Sequence, residues 1–376
     1  MIAENIMIGL SNALQLSSLI GVVVGTALGL FIGAMPGLSA TMGIALLLPL
    51  TYGMEPAVGI SMLCALYMGA MYGGSISAIL IKTPGTPAAA ATVMDGYPMA
   101  QQGKAGKALG ISLVASLIGG VLSSIALLTI APVLGNFALE FGPVELFAVA
   151  VLGITIIGSL SAGSPIKGIL SGMLGLLLSM VGMDPITGTP RFTFGNINLF
   201  SGVPYTVALI GLFSIPQAIR LVEKDSGVAK VVSSIKDKML PTLEEFKRIF
   251  PTTLRSSLIG IVTGIIPGTG GDTACWFGYN EAKRFAKDKD TFGKGNIVGV
   301  AAAEAANNAV VGGALIPTIT LGIPGSSATA IIMGGLMIHG IMPGPTLMTE
   351  YADLTYTLIW ALMFSNIAMF LLGLLF

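Results

Sequence analysis

Apolar stretches long enough to enter a bilayer are interrupted by Pro-Gly turns, and the interruptions come in two matched pairs. The first pair is Gly33-Ala34-Met35-Pro36-Gly37 and Thr83-Pro84-Gly85-Thr86-Pro87. The second is Gly264-Ile265-Ile266-Pro267-Gly268-Thr269-Gly270-Gly271 and Ile323-Pro324-Gly325-Ser326-Ser327, at nearly the same spacing. One half of the chain therefore roughly repeats the other. In hydrocarbon, backbone groups freed by such a break find partners only in neighbouring protein or around a watery cavity. Two breaks per half at corresponding positions imply a central site near the bilayer midplane, of the kind that membrane carriers use.

Composition supports a membrane setting. Only 10% of residues are charged and 54% are hydrophobic, with mean hydropathy +0.89, whereas soluble chains carry about 25% charged residues. The 51 glycines and 20 prolines suit transmembrane helices, which tolerate both and pack through small residues. The expected fold is an all-α polytopic membrane protein. Zero net charge gives no nucleic-acid footprint. Cys64 and Cys275 lie in apolar surroundings at no metal spacing and read as packing residues. The amino end, residues 1–18, has no basic n-region of a cleavable signal and reads as an interfacial or first membrane helix.

Loop charge orients the repeat. A polar segment from Arg220 to Arg255 contains Lys224, Lys230, Lys236, Lys238, Lys247 and Arg248, with an amphipathic helix expected over 242–250. Basic clusters also occur at Lys104 and Lys107 and at Lys283, Arg284, Lys287, Lys289 and Lys294. The positive-inside bias puts all three in the cytoplasm. At matched loops the bias reverses: residues 51–56 carry no Lys or Arg while their counterpart, 283–294, carries five, and the loop with Lys104 and Lys107 corresponds to one with Glu350 and Asp353. Such a reversal marks an inverted-topology repeat.

Length then shapes the path. Residues 254–280 are too few for two crossings of about 20 residues each, so they form a re-entrant hairpin tipped at Pro267. By symmetry, 18–50 form a second hairpin tipped at Pro36. Broken transmembrane helices follow at 57–95 and 296–339, with gaps at Pro84 and Pro324. Four further helices are expected near 108–133, 144–160, 165–183 and 199–221, and Arg191 falls on a loop where the charge rule would not put it. The domains are thus 1–221, a cytoplasmic linker 222–253, and 254–376. The second half has one helix, 353–376, where the first has four. Three more, on the order of 100 residues by the length rule, are expected past its end, a truncated second repeat rather than a naturally short one.

Each break leaves unpaired N–H groups and partial positive charge at the next helix start. Four such starts would suit an anion, with Thr86, Thr269, Ser326 and Ser327 adding hydroxyls. Half-helix carboxyl ends could equally hold a coupling Na⁺. The site candidates are the turns themselves, Pro36, Gly37, Pro84, Gly85, Pro267, Gly268, Gly270, Gly271, Pro324 and Gly325, with Ser39 and Ser75. Asp272 either caps the following half-helix or ligates a cation. Asn307 and Asn308 share nearly one helical face with Glu304, and polar groups at that depth are functional candidates. Glu304 itself either takes part, lies near the interface or pairs structurally. Lys82 either meets an anionic substrate, snorkels or forms a salt bridge. His339, Tyr67, Tyr72 and Trp276 read as structural, packing or interface residues. Neither a Walker-type phosphate loop nor a nucleophile–base pair is found, so no enzyme and no cofactor is expected, and an ion gradient would supply the driving force.

Several motifs resemble the large membrane subunit of the tripartite tricarboxylate transporters. They are Met35-Pro36-Gly37-Leu38-Ser39-Ala40, Tyr72-Gly73-Gly74-Ser75-Ile76-Ser77 through Pro87, Asp95-Gly96-Tyr97-Pro98, Ile266 to Gly271, Glu304-Ala305-Ala306-Asn307-Asn308-Ala309 and Leu321 to Ser326. The resemblance spans essentially the whole chain. It implies a multi-pass permease of the bacterial inner membrane working with a small membrane subunit and a periplasmic substrate-binding protein. It also implies symport of a carboxylate such as citrate with Na⁺ or H⁺, by an elevator-type movement. Relatives of this kind are longer, and they often carry Asn where this chain has Lys82. A passive anion channel, or a transport-inactive fragment, is the alternative.

Overall fold

The computed structural model describes residues 2–145, 164–184, 188–203 and 237–375, with scattered positions within 147–152 and 207–219. Helices among the described residues are α1 (Ile2–Ala13), α2 (Leu16–Ala34), α3 (Ala40–Thr51), α4 (Pro56–Ile81), α5 (Val93–Gln101), α6 (Ala105–Leu139) and α7 (Pro165–Ser179). After the linker come α8 (Leu243–Ile265), α9 (Gly270–Phe285), α10 (Ile297–Leu321), α11 (Ser327–Ile338) and α12 (Ala352–Gly373). Five of these, α2, α4, α6, α10 and α12, are long and apolar enough to cross a membrane. The protein is an all-α polytopic membrane protein. The helices expected near 144–160 and 199–221 fall mostly outside the described residues, as does most of the linker.

Both hairpin tips are the same turn. Gly37 has φ 89° and Gly268 has φ 82°, each directly after a proline. Leu38 N–H donates to the Met35 carbonyl at 3.1 Å, and Thr269 N–H to the Ile266 carbonyl at 3.4 Å. Proline at the second position and a positive-φ glycine at the third define a type II turn. The chain thereby reverses between α2 and α3, and between α8 and α9.

The first leg of the second hairpin begins earlier than its hydropathy suggests. A capping box between Thr242 and Glu245 starts α8, which runs unbroken through Pro251 to Ile265. The amphipathic segment expected at 242–250 and the apolar leg expected from 254 are thus one helix. Proline in a helix interior removes one backbone bond, and here packing along α10 carries the helix past it.

Close helix contact comes from small residues. Gly25, Gly29 and Gly33 of α2 lie against the backbone of Met62, Leu66 and Ala70 on α4, so any side chain there would collide with a carbonyl. Four-residue spacing keeps these glycines on one stripe. The α8–α10 pair uses Gly260 and Gly264 in the same way. Partners then cross between halves: α6 lies along α10, and α12 lies along α4 and α1. Broken helices α4 and α10 are buried on nearly every face, and Leu63, Tyr72, Leu113, Val311, Ile332 and Leu358 join one core.

Charged segments gather at one end of the bundle. Lys107 Nζ pairs with Glu245 at 2.8 Å, and Asp237 accepts from the N–H groups of Gly106 and Lys107, each at 2.8 Å. Gln102 donates to the Lys294 carbonyl at 2.8 Å. The three basic regions therefore share a side. Arg191 sits in a short antiparallel pairing of Gly182–Met183 with Pro190–Arg191, where Asp184 neutralises it. That hairpin replaces the end of the helix expected over 165–183.

Candidate binding site

All four interruptions meet in one cavity of about 200 Å³. The first tip supplies Ser39, Ala40 and Thr41; the first break supplies Thr86, Pro87 and Ala88. Residues 268–272 come from the second tip and 326–328 from the second break, while Tyr67 and Met71 of α4 complete the wall. Backbone bonds hold the turns in place. Gly268 N–H donates to the Gly325 carbonyl at 3.0 Å, and Gly85 N–H to the Gly74 carbonyl at 3.1 Å.

Three regular helix starts face the cavity, those of α3, α9 and α11. Ser39 Oγ caps α3 by accepting from Met42 N–H at 3.1 Å, and Ser326 Oγ caps α11 by accepting from Thr329 N–H at 3.2 Å. The Ser39 oxygen used in this way leaves its own O–H to donate to a ligand, whereas the Ser326 hydroxyl donates to Thr329 Oγ1 at 3.4 Å. The fourth expected start is different. Beyond Pro84 the chain makes only a single 3₁₀ turn, Pro87–Ala89, before α5 begins at Val93.

With its geometry and sequence together, the family is decided: the chain matches the tripartite tricarboxylate transporter TctA family over residues 19–376. It belongs to that family. A protein of Agrobacterium vitis described as an uncharacterized 52.8 kDa protein in the TAR-I ttuC' 3' region is 36% identical over 375 residues, 99% of this chain and 74% of that one. A second from the same organism, in the TAR-II ttuC' 3' region, is 36% identical over 115 residues, 31% of this chain and 48% of its own length. No solved structure matches. This TctA-family chain is thus a membrane component of a tricarboxylate transport system.

The candidates drawn from sequence divide into three groups. Ser39, Thr86, Gly268, Thr269, Gly270, Gly271, Asp272, Ser326 and Ser327 line the cavity. Thr86 Oγ1 is buried against Gly74 and makes no protein hydrogen bond. Thr269 is committed elsewhere: its hydroxyl donates to the Thr263 carbonyl and, at 2.9 Å, to the Ile266 carbonyl, closing the end of α8. Asp272 is in the first turn of α9, where a carboxylate complements the helix dipole. It does not cap α9, since the N-cap is Thr269.

Pro36, Gly37, Pro84, Gly85, Pro267, Pro324 and Gly325 form the second group, shaping the turns without lining the cavity. Gly325 N–H, for example, donates to Thr318 Oγ1 at 3.2 Å.

Lys82, Ser75, Asn307 and Asn308 are the third group. Lys82 is exposed, with Nζ 5.7 Å from the Tyr97 ring centroid. Its φ of 61° ends α4 in the left-handed region, the place that Gly322 takes at the end of α10. Ser75 bonds Ser112 at 2.7 Å inside the bundle. Asn307 donates to the Met71 carbonyl at 3.3 Å, just behind the cavity wall, whereas Asn308 turns to Ser116 on α6 at 2.8 Å.

Sequence reasoning missed Tyr67, Met71 and Thr41. Tyr67 Oη and Ser326 Oγ are 3.2 Å apart, and Thr41 Oγ1 and Ser327 Oγ are 3.0 Å apart, both across the two halves. The spacing of Tyr67 and Met71, one turn apart on α4, was the available signal. It is silent because α4 is buried all round and no face stands out. None of the lining residues is Lys, Arg or His.

Proposed function

We propose that this chain is the large membrane subunit of a permease that carries a di- or tricarboxylate such as citrate across the bacterial inner membrane, coupled to Na⁺ or H⁺. A periplasmic binding protein delivers the substrate, and a small membrane subunit completes the complex. The two halves are inverted repeats, and an elevator-type movement carries the cavity between the two sides. The observation that carries the reading is the single cavity where both tips and both breaks converge.

Its chemistry fits a carboxylate held without a fixed cation. Dipole ends of α3, α9 and α11 favour negative charge, and Ser39, Thr86, Tyr67, Ser326 and Ser327 line the cavity with hydroxyls. Asp272 adds a negative charge to the same wall. An anion next to it in a poorly screened cavity is repelled, so binding of a cation with the substrate relieves the site. That electrostatic balance favours symport over a passive pore.

Counterflow tests the proposal. The chain is co-reconstituted with its small subunit in vesicles loaded with one carboxylate, and labelled uptake is followed across a dicarboxylate and tricarboxylate panel, with and without Na⁺. Saturable exchange of at least one member is expected, weakened in Thr86→Val and Ser326→Ala. If no member exchanges, or if uptake is non-saturable and indifferent to internal substrate, the carrier reading fails.

A further inference from the structure

Outside the cavity, a buried polar cluster centres on Glu304 of α10. Its side chain is wholly inaccessible to solvent. The Thr92 hydroxyl donates to one carboxyl oxygen, and the Ser116 hydroxyl to the other at 3.2 Å. Ser112 is a third hydroxyl partner. Asn308 donates to Ser116 Oγ at 2.8 Å. Ser75 donates to the Tyr72 carbonyl at 2.8 Å and lies 2.7 Å from Ser112 Oγ. Thr92, Ser112 and Ser116 thus surround the carboxyl with neutral hydroxyls only.

No cation faces this carboxyl among the described residues. α4 presents Tyr72, α9 presents Cys275, and α6 presents only Ser112 and Ser116. Asp95 on α5 is engaged by Tyr279 and by the N–H groups of Gly293, Gly295 and Asn296. The buried residues of α8 and α11, and of the short turns 87–89 and 345–348, include no charged side chain. An ionised carboxylate stranded in this way costs several kcal/mol, and the cost falls away when the group is neutral.

From this we infer that Glu304 is the proton-carrying residue of the transport cycle, a site separate from the substrate cavity. The inference rests on the carrier reading above. In the present conformation Glu304 holds its proton. When the cycle admits water to this part of α10, the carboxyl O–H breaks, water takes the proton, and the carboxylate is solvated. The link to substrate is short. Asn307, three residues along α10 and under one turn of about 5.4 Å away, reaches the Met71 carbonyl and lies beside Gly271, both at the cavity wall.

The test uses the intact chain with its small subunit. In Glu304→Gln, carboxylate counterflow is expected to persist within about threefold of wild type, while accumulation driven by an imposed pH gradient is lost. Difference infrared spectra should show a protonated-carboxyl C=O band in wild type at neutral pH that is missing from Glu304→Gln. Gradient-driven accumulation by Glu304→Gln at the wild-type level overturns the inference, as does absence of the infrared band. Should Glu304→Gln fail to fold, Glu304→Asp decides: it keeps gradient-driven uptake with a shifted pH profile if the group carries the proton, and an unshifted profile overturns the proposal. Wild-type counterflow without any response to a pH gradient defeats the proton inference alone. Absence of counterflow in wild type defeats the carrier reading instead.

Discussion

Replacing Gly268 by alanine separates backbone strain from site function, because a second glycine offers a matched control. Gly268 and Gly293 have the same φ, 82°, but Gly268 lines the cavity and Gly293 lies in the polar loop after α9. An alanine at either position enters the left-handed region, at a cost of roughly 1–2 kcal/mol. At Gly293 the added Cβ meets nothing within 4 Å, so strain is the whole effect there. Gly293→Ala should therefore lose about a 5- to 30-fold factor in the folded ratio, and Gly268→Ala at least as much. Cys64 and Cys275 are free and buried, so a thiol-reactive dye reports thermal unfolding directly. In proteoliposomes, Gly293→Ala should keep wild-type counterflow per folded molecule, while Gly268→Ala loses most of it, since its turn sets residues 268–272 along the cavity wall. A Gly268→Ala protein that melts like wild type would refute the type II turn. One that melts lower yet transports normally would refute the placement of the tip at the site.

Three further outcomes follow from the same contacts. Asp95→Ala strands three N–H groups and the Tyr279 hydroxyl, with bonds of 2.7–2.9 Å to this carboxylate; a loss of about 3 kcal/mol or more is expected, read by thermal melting and by faster proteolysis of the 286–296 loop. Lys82→Gly relieves a left-handed lysine and should raise stability by about 0.5–1 kcal/mol, after the entropic cost of glycine, with carboxylate uptake unchanged; loss of uptake would put Lys82 in the site. At the polar start of α8, burial acts to raise the Glu245 carboxyl, but bonds from Lys107 and Thr242 outweigh it and hold the group below its ordinary value of 4.5. A depressed carboxylate stabilises the fold above its unfolded pKa and loses that contribution as pH falls through the folded one. Wild type should therefore lose stability relative to Glu245→Gln as pH drops below about 4.5, and parallel melting curves for the two would disprove the linkage.

Much of the site was legible because proline and glycine act locally. Pro36-Gly37 and Pro267-Gly268 dictate a turn wherever they stand, so both tips could be read without a partner. Thr269, Lys82 and Asn308 show where local reading ends. Each is a polar side chain near a break, and nothing in its neighbours says whether it turns toward the cavity, the helix end or the next helix. The Thr269 hydroxyl closes α8, Lys82 supplies a left-handed cap outside the cavity, and Asn308 faces α6. The start of α8 was misjudged for a related reason: hydropathy marks where a helix meets lipid, whereas the Thr242–Glu245 capping box marks where it begins.

From the sequence alone came the helical class, the membrane setting, the two pairs of breaks and the family motifs, because hydropathy, loop charge and turn chemistry are properties of short segments. Only the tertiary structure decided that all four interruptions share one cavity, that Tyr67 and Thr41 join it across the two halves, and that Glu304 is sealed in a hydroxyl cluster with no cation among the described residues. Those outcomes depend on which faces of α4, α6 and α10 meet. Helices apolar on every side carry no periodic signal of that choice, and the packing of small residues makes it.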